Sequence, residues 1–348
     1  MAVGQGALTG YNSYLIMGRE TTLGTYNTCT AVMDFLSANI STKKETKILE
    51  QVEKFRSYSK RIGLSRVIEG EIEAYAYAES AGLVYALQNA LGGTVTSSTA
   101  TGETSGGLAF QHIVSLGNMD QSYPSMCLNV RYGDSSGGFV YQYSGVRVNE
   151  LGFSAEIDEA LKINSSVICM NSTKTANDLS ALVTGSATNQ PLSFVNGRVS
   201  VEGTFASLTS TSFWHVQSIN FGISNNLKAD NESRRIGSDT LQVLPPGIAN
   251  FSLEMTLRFD TTTAFDAMLN ETQLSVEAEF QGSTLTGSAI KRGVKFQWPK
   301  VFVMNATEPE IGGPDNILTS QVTFAVLRDE SAGYPMRAIV SNLTSSYA

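Results

Sequence analysis

The stretch Gly133-Asp134-Ser135-Ser136-Gly137-Gly138 is where this sequence comes nearest to catalytic chemistry. It satisfies G-x-S-x-G, the nucleophile elbow, in which a strand-to-helix turn exposes a serine hydroxyl to a histidine base. Ser135 would be the nucleophile of a serine hydrolase, with His112 or His215 as the base, yet neither histidine sits in a recognisable motif. The elbow also needs a helix after the turn, whereas Phe139 to Tyr143 continues as strand. Gly, Asp and Ser are equally the residues of a tight hairpin turn, and that is the reading the stretch favours. A second chemistry would use paired carboxylates. Glu71/Glu73 and Glu277/Glu279 stand at i and i+2 on a strand face, where two acids could flank a water. A pair in each part of the chain points to a repeated wall more than to one active site. Two histidines and three cysteines lie scattered without ligand spacing, and no acidic calcium loop occurs, so no catalytic residue, metal or cofactor is expected.

The chain has 348 residues, room for two domains of ordinary size. Charged residues are only 16 %, and Ser, Thr, Gly and Asn take their place, which suits strands and turns. A net charge of −8 argues against a protein that grips nucleic acid, because that grip depends on Lys and Arg displacing counterions. Cys29, Cys127 and Cys169 are odd in number and widely spaced, which favours reduced thiols in a cytosolic compartment over a disulfide framework. Residues 1–30 lack the pattern of a signal peptide, and no run of about 18 apolar residues suggests a membrane span.

The elements that would position these groups are mostly strands. Leu36 to Ile40 alternates, a charged excursion closes at Lys60-Arg61-Ile62-Gly63, and Val67 to Tyr77 returns with Ile72, Ala74 and Ala76 on one face. The arrangement recurs as Ile219 to Ile223, an excursion closing at Arg234-Arg235-Ile236-Gly237, and Phe251 to Phe259. Upstream of each, a glycine–arginine pair precedes a glycine–threonine pair at one spacing, Gly18-Arg19 with Gly24-Thr25 and Gly197-Arg198 with Gly203-Thr204. Ala81 to Leu91 has helical spacing, Ala264 to Leu269 is a shorter helical turn, and strands are expected at 126–132, 139–143, 145–148, 153–157, 161–170, 274–280, 294–298, 301–304 and 318–327. Residues 94–107 read as a flexible loop. The expectation is a mainly β chain with a small helix per unit: two tandem β-sandwich or partial-barrel units, 1–171 and 191–348, joined by a linker at 172–190.

This arrangement resembles the tail tube proteins of long-tailed bacteriophages, over most of the chain. The resemblance implies subunits that form stacked rings, whose sheets join into a large β-barrel around a channel for DNA in the virion tail, assembled in the host cytoplasm. Three chains of two units would give a threefold, pseudo-sixfold ring, with tape-measure, tail terminator and tail-tip proteins as further partners and DNA passing without specific binding. Strands near 67–77 and 251–259 would line the channel, placing Glu71, Glu73, Tyr75, Glu254 and Arg258 toward the lumen, with Arg258 a cation that the first unit lacks. The long excursions, Thr42 to Arg61 and Leu227 to Arg235, would be stacking loops. Their candidate contacts are Lys43, Lys44, Glu45, Ile48, Leu49, Val52, Phe55, Lys60, Arg61, Arg234 and Arg235. Ile48, Leu49, Val52 and Phe55 fall at near-helical intervals, with Phe55 the anchor. A monomeric β-sandwich adhesin is a competing class, but neither its aromatic loop clusters nor its secretion signal is visible.

Overall fold

The computed structural model describes residues 10, 13–51, 54, 57–103, 108–117, 123–133, 138–183, 190–208, 214–309 and 317–347. The first part of the chain contributes β1 (Tyr14–Arg19), β2 (Ala31–Val32), β3 (Ser37–Ile48), β4 (Arg61–Tyr75), α1 (Ala81–Leu91), β5 (Thr96–Thr99), β6 (Phe110–Ser115), β7 (Met126–Tyr132), β8 (Phe139–Glu156), β9 (Lys162–Ile168) and β10 (Asn171–Thr175). There follow β11 (Gly197–Glu202), β12 (Val216–Ser224), β13 (Asn250–Arg258), α2 (Thr263–Leu269), β14 (Gln273–Thr284), β15 (Lys291–Ala306), β16 (Thr319–Val326) and β17 (Arg337–Asn342). Strand accounts for 50 % of the described residues, so the fold is mainly β.

Alternation builds the central sheet. Ile72 and Ala74 of β4, Ile163 and Val167 of β9, Leu253 and Met255 of β13, and Val322 and Phe324 of β16 are all buried, while their sequence neighbours face outward. The eight strands run in the order β3, β4, β9, β8, β12, β13, β16, β15, each antiparallel to the next. The sheet is not closed. Its midline is the β8–β12 seam, from Ser218 opposite Glu156 to Ser224 opposite Glu150.

A second layer covers the apolar face. There β1 pairs with β7 and β7 with β8, and β10 adds on the far side of β8. In the later half, β11 pairs with β14, β14 with β15, and β17 lies beyond β15. The strands β8 and β15 are long enough to serve both layers. Each passes from one to the other through a bulge, between Tyr143 and Val146 and between Trp298 and Val301, the usual device for bending a strand between sheets. Between the layers Phe153 stacks on Phe221 at 5.2 Å, Phe296 packs against both rings, and Trp298 packs against Phe221. The helix α1 is buried along its length and ends where Gly92 takes a left-handed conformation, its N–H closing on Gln88 O.

Several sequence expectations change. The segments expected at 139–143, 145–148 and 153–157 are one strand, because pairing with four neighbours, β7, β10, β9 and β12, carries β8 across its local breaks. Residues 94–107 contain a strand as well as a loop: β5 pairs with β6, and β6 pairs with β17, so this insertion staples the two halves together. Residues 172–175 lie inside β10. The glycine–arginine pairs do not occupy matching places, since Gly18 stands opposite Cys127 near the end of β1 and Gly197 opposite Phe280 at the start of β11. Cys29 and Cys127, 98 residues apart in sequence, bring their thiols to 3.2 Å in a buried site.

Candidate assembly surface

The outward face of the eight-stranded sheet carries the expected lumen residues together. Glu71, Glu73 and Tyr75 alternate with buried Ile72 and Ala74, and Glu254 and Arg258 alternate with buried Met255 and Leu257. One row across the sheet reads Tyr75, Lys162, Ser154, Asn220, Glu254, Thr323, and an adjoining one reads Asn39, Glu71, Ser166, Glu150, Ser224. Glu73 accepts a hydrogen bond from Ser37 at 3.0 Å. The first half does carry cations on this face: Lys162 pairs with Glu159, and Lys43 with Glu69 at 2.9 Å, side chains that a reading of β4 alone overlooked. Arg258 holds Asp260 through three bonds of 2.8, 2.9 and 3.0 Å, keeping that carboxyl below its usual range, and His215 joins the cluster. Gly152 and Gly222 face each other across the seam, leaving a trough of about 390 Å³ between Glu71, Glu150 and Ser252. A Cβ on Gly222 would lie 2.8 Å from Leu151 O, so a side chain there would force the seam apart.

Glu277 and Glu279 are not the counterparts of Glu71 and Glu73. They lie in the other layer, where Arg198 reaches both at 3.3 and 2.8 Å and Lys295 reaches both at 3.3 and 3.4 Å. Spacing alone suggested a repeated wall; the partners make this pair an internal ion-pair cluster.

The first long excursion is a ladder for most of its length. Pairing of β3 with β4 continues from Ser37–Glu73 out to Ile48–Arg61, so Lys43, Lys44, Glu45 and Ile48 are on a strand, with only 49–60 connecting. This arm exposes Ile48, Tyr58, Ile62 and Leu64. Leu49 closes the ladder through its N–H to Lys60 O, and Lys60 and Arg61 are exposed. The helical spacing expected here gives way to cross-strand hydrogen bonding over Ile48. Val52 and Phe55 lie outside the described residues. The second excursion, 225–249, folds back on the first half instead. Leu227, Leu241 and Leu244 are buried with Met170, Arg147 donates to Leu244 O, and Arg234 donates to Arg66 O at 3.2 Å. Asp239 meets Arg66 at 3.2 Å and Lys44 at 3.3 Å, and the two cations hold its pKa down. Arg234 is therefore engaged within the chain as a brace, while Arg235 is exposed.

Two edges of the sheet carry no further strand among the described residues, although at the β3 edge the Ile40 carbonyl accepts from Tyr132 OH at 3.4 Å. On β4 the even-numbered residues bond to β9, as Cys169 N does to Ile68 O and Ala76 N to Leu161 O. The odd-numbered ones therefore serve β3, and backbone groups of residues 38, 40 and 42 point away from the sheet at its β3 edge. At the other edge β15 presents Met304 and Asn305, both exposed. Because neighbours alternate in direction across eight strands, β15 of one molecule is antiparallel to β3 of a second placed beside it.

The Ser135 reading has no elbow to stand on. The stretch connects β7 to β8, two antiparallel strands with Tyr132 opposite Phe139; Ser135 itself lies outside the described residues. His112 is fully buried, 2.8 Å from Ser97 and 3.0 Å from Asn342, where it joins β6 to β17. Among the described residues no group of His, Cys, Asp and Glu has metal-site geometry, and no helix is long and apolar enough to cross a membrane.

Against this geometry stand the comparisons with known proteins. A family model described as phage tail tube protein matches residues 10–326. No curated protein matches the chain.

Proposed function

The chain belongs to the phage tail tube protein family, structural components of the virion tail that assemble with themselves into a tube, and on that footing we propose that it closes into rings of three. One observation carries the reading: the sheet is an open run of eight antiparallel strands whose two edges suit each other, and β8 against β12 is a finished example of the joint they would make. Residues 1–171 and 191–348 are, in this proposal, tandem units joined through 172–190, each giving four strands to a common barrel. Three chains then supply six units and 24 strands. At about 4.8 Å between strands and about 45° of tilt, the backbone ring measures roughly 50 Å across, wide enough for duplex DNA.

Glu71, Glu73 and Glu254 face the channel in this arrangement, with Tyr75 and Arg258 in the same band. A mainly acidic wall repels phosphate, so DNA slides through without adhering, the reverse of binding by counterion release. The arm tipped by 49–60 stands clear of the sheet and is the contact to the next ring. Images of ring cross-sections test the stoichiometry: three chains per ring are expected, and six whole chains would refute the trimer.

A further inference from the structure

Within the chain the seam between halves is sealed by more than the β8–β12 ladder. Leu192, fully buried, inserts where β4 ends and β9 begins: its N–H donates to Ala76 O at 2.9 Å, and its carbonyl accepts from Leu161 N at 2.8 Å. Ser193 forms an antiparallel bridge to Ala160, and Phe194 N donates to Glu159 O. The segment acts as a one-rung added strand, the mode by which extended peptides complete an open sheet.

The later half has the same socket. Phe259 N donates to Leu318 O at 2.9 Å as Ala76 N does to Leu161 O at 2.8 Å. Among the described residues no backbone bond reaches the Phe259 carbonyl or leaves the Leu318 amide. A groove of about 510 Å³ opens beside them, lined by Trp214, Leu257, Phe259, Ala264, Phe265 and Pro309 together with the His215, Arg258 and Asp260 cluster, and Ile317, next to Leu318 in the chain, is 69 % exposed. The socket of the first half is filled; among the described residues nothing fills this one.

The sequence names the plug. In β7–β8 and β14–β15 the register shifts at one place, which sets Leu128 with Val276; Leu128 faces Met17 of β1 and Val276 faces Val201 of β11. Tyr14 then corresponds to Arg198. Leu192 stands six residues before Arg198, and six before Tyr14 stands Leu8. The surroundings agree: Leu8-Thr9 with Asn12 repeats Leu192-Ser193 with Asn196. The strand β1 lines one pocket with Leu36 and Ala38 at the start of β3, whereas the socket lies between β13 and β16, one strand in from the β15 edge at the opposite end of the sheet. In the ring reading, the neighbouring molecule brings the two together.

We infer that Leu8-Thr9 of one chain plugs the Phe259–Leu318 socket of its neighbour, adding a rung between subunits as Leu192-Ser193 does within one. This rests on the ring reading above and adds its partner and contact. By the same register Thr9 comes opposite Ile317, as Ser193 does Ala160, at a separation that a cross-strand disulfide can span.

The test is the double variant Thr9→Cys with Ile317→Cys, oxidised after assembly and run on a denaturing gel. Dimers and trimers that neither single variant gives are expected. Rings that form but yield only monomer, or a cross-link within one chain, would overturn the plug and leave the ring intact as a reading. Wild-type protein that forms no rings would overturn both. Independently, Leu8→Asp should abolish rings while the subunit keeps its melting temperature, and Leu8→Met should restore them. Rings from Leu8→Asp at wild-type yield would refute the inference.

Discussion

The two long excursions begin from corresponding central strands and end in opposite ways. In the first half β3 and β4 keep pairing past the body of the protein, to Ile48 and Arg61, and leave Ile48, Ile62 and Leu64 exposed. In the second, Leu227, Leu241 and Leu244 form a small core with Met170, and the chain packs down as irregular backbone held by Arg147 and Arg234. Apolar residues spaced along a loop with a surface to bury against collapse it; apolar residues alternating along a ladder with nothing beneath leave it standing. The standing arm has unspent contact surface, and the collapsed loop supports it at its base through Asp239.

A similar contrast separates the internal seam from the open edges, and it can be broken in order of effect. Phe221 at the seam packs against Phe153, Phe296 and Trp298, so Phe221→Ala should cost about 3–5 kcal/mol in urea unfolding. Ile40, which takes the matching place in β3, is a smaller side chain and 7 % exposed, and Ile40→Ala should cost about 2 kcal/mol, at the low end of such truncations. Equal losses would mean that the seam is no better packed than the edge.

Thr42→Pro targets the edge without touching the core. Its N–H points away from β4, where proline is tolerated, so the melting temperature should hardly move while rings are lost. Normal rings would show that β3 is not the joint. Removing residues 45–65 and joining Lys44 to Arg66 through Asn-Gly should leave folded subunits and single rings that do not stack into tubes. Tube growth at wild-type rate by that deletion variant would end the stacking role of the arm.

The staple between β6 and β17 should respond to pH. Burial holds the His112 pKa below its ordinary value near 6.5, with the Asn342 bond opposing it in part. The unfolded chain therefore takes up the proton first. Stability present above about pH 6.5 is lost as the pH falls toward the folded-state value. A melting-temperature difference between wild type and His112→Gln that shrinks from pH 7.5 to 5.5 is the expected signature. Smallest for the fold is Glu71→Lys with Glu73→Lys. Exposed charges shift stability by about 0.5 kcal/mol or less, so tubes should assemble while DNA delivery falls; unchanged delivery would remove the electrostatic role of the lumen.

What the sequence determined by itself was local and periodic. Alternation located β7 and the central strands, helical spacing located α1 from Ala81 to Leu91, and turn residues identified 133–138 as a connection despite its catalytic look. The polar face bearing Glu71, Glu73, Glu254 and Arg258 was legible because a strand has only two sides. Pairing was not legible, since a hydrogen-bonded neighbour leaves no mark on spacing. That is why Glu277/Glu279 passed for a second copy of Glu71/Glu73, why the glycine–arginine pairs were set in the wrong register, and why residues 94–107 read as a free loop. Only the tertiary structure decided that β6 crosses to β17, that 225–249 lies down while the β3–β4 arm stands up, and that Leu192 fills the gap between Ala76 and Leu161. Each of these depends on which backbone groups meet across distances of tens to hundreds of residues, and local sequence carries no term for that.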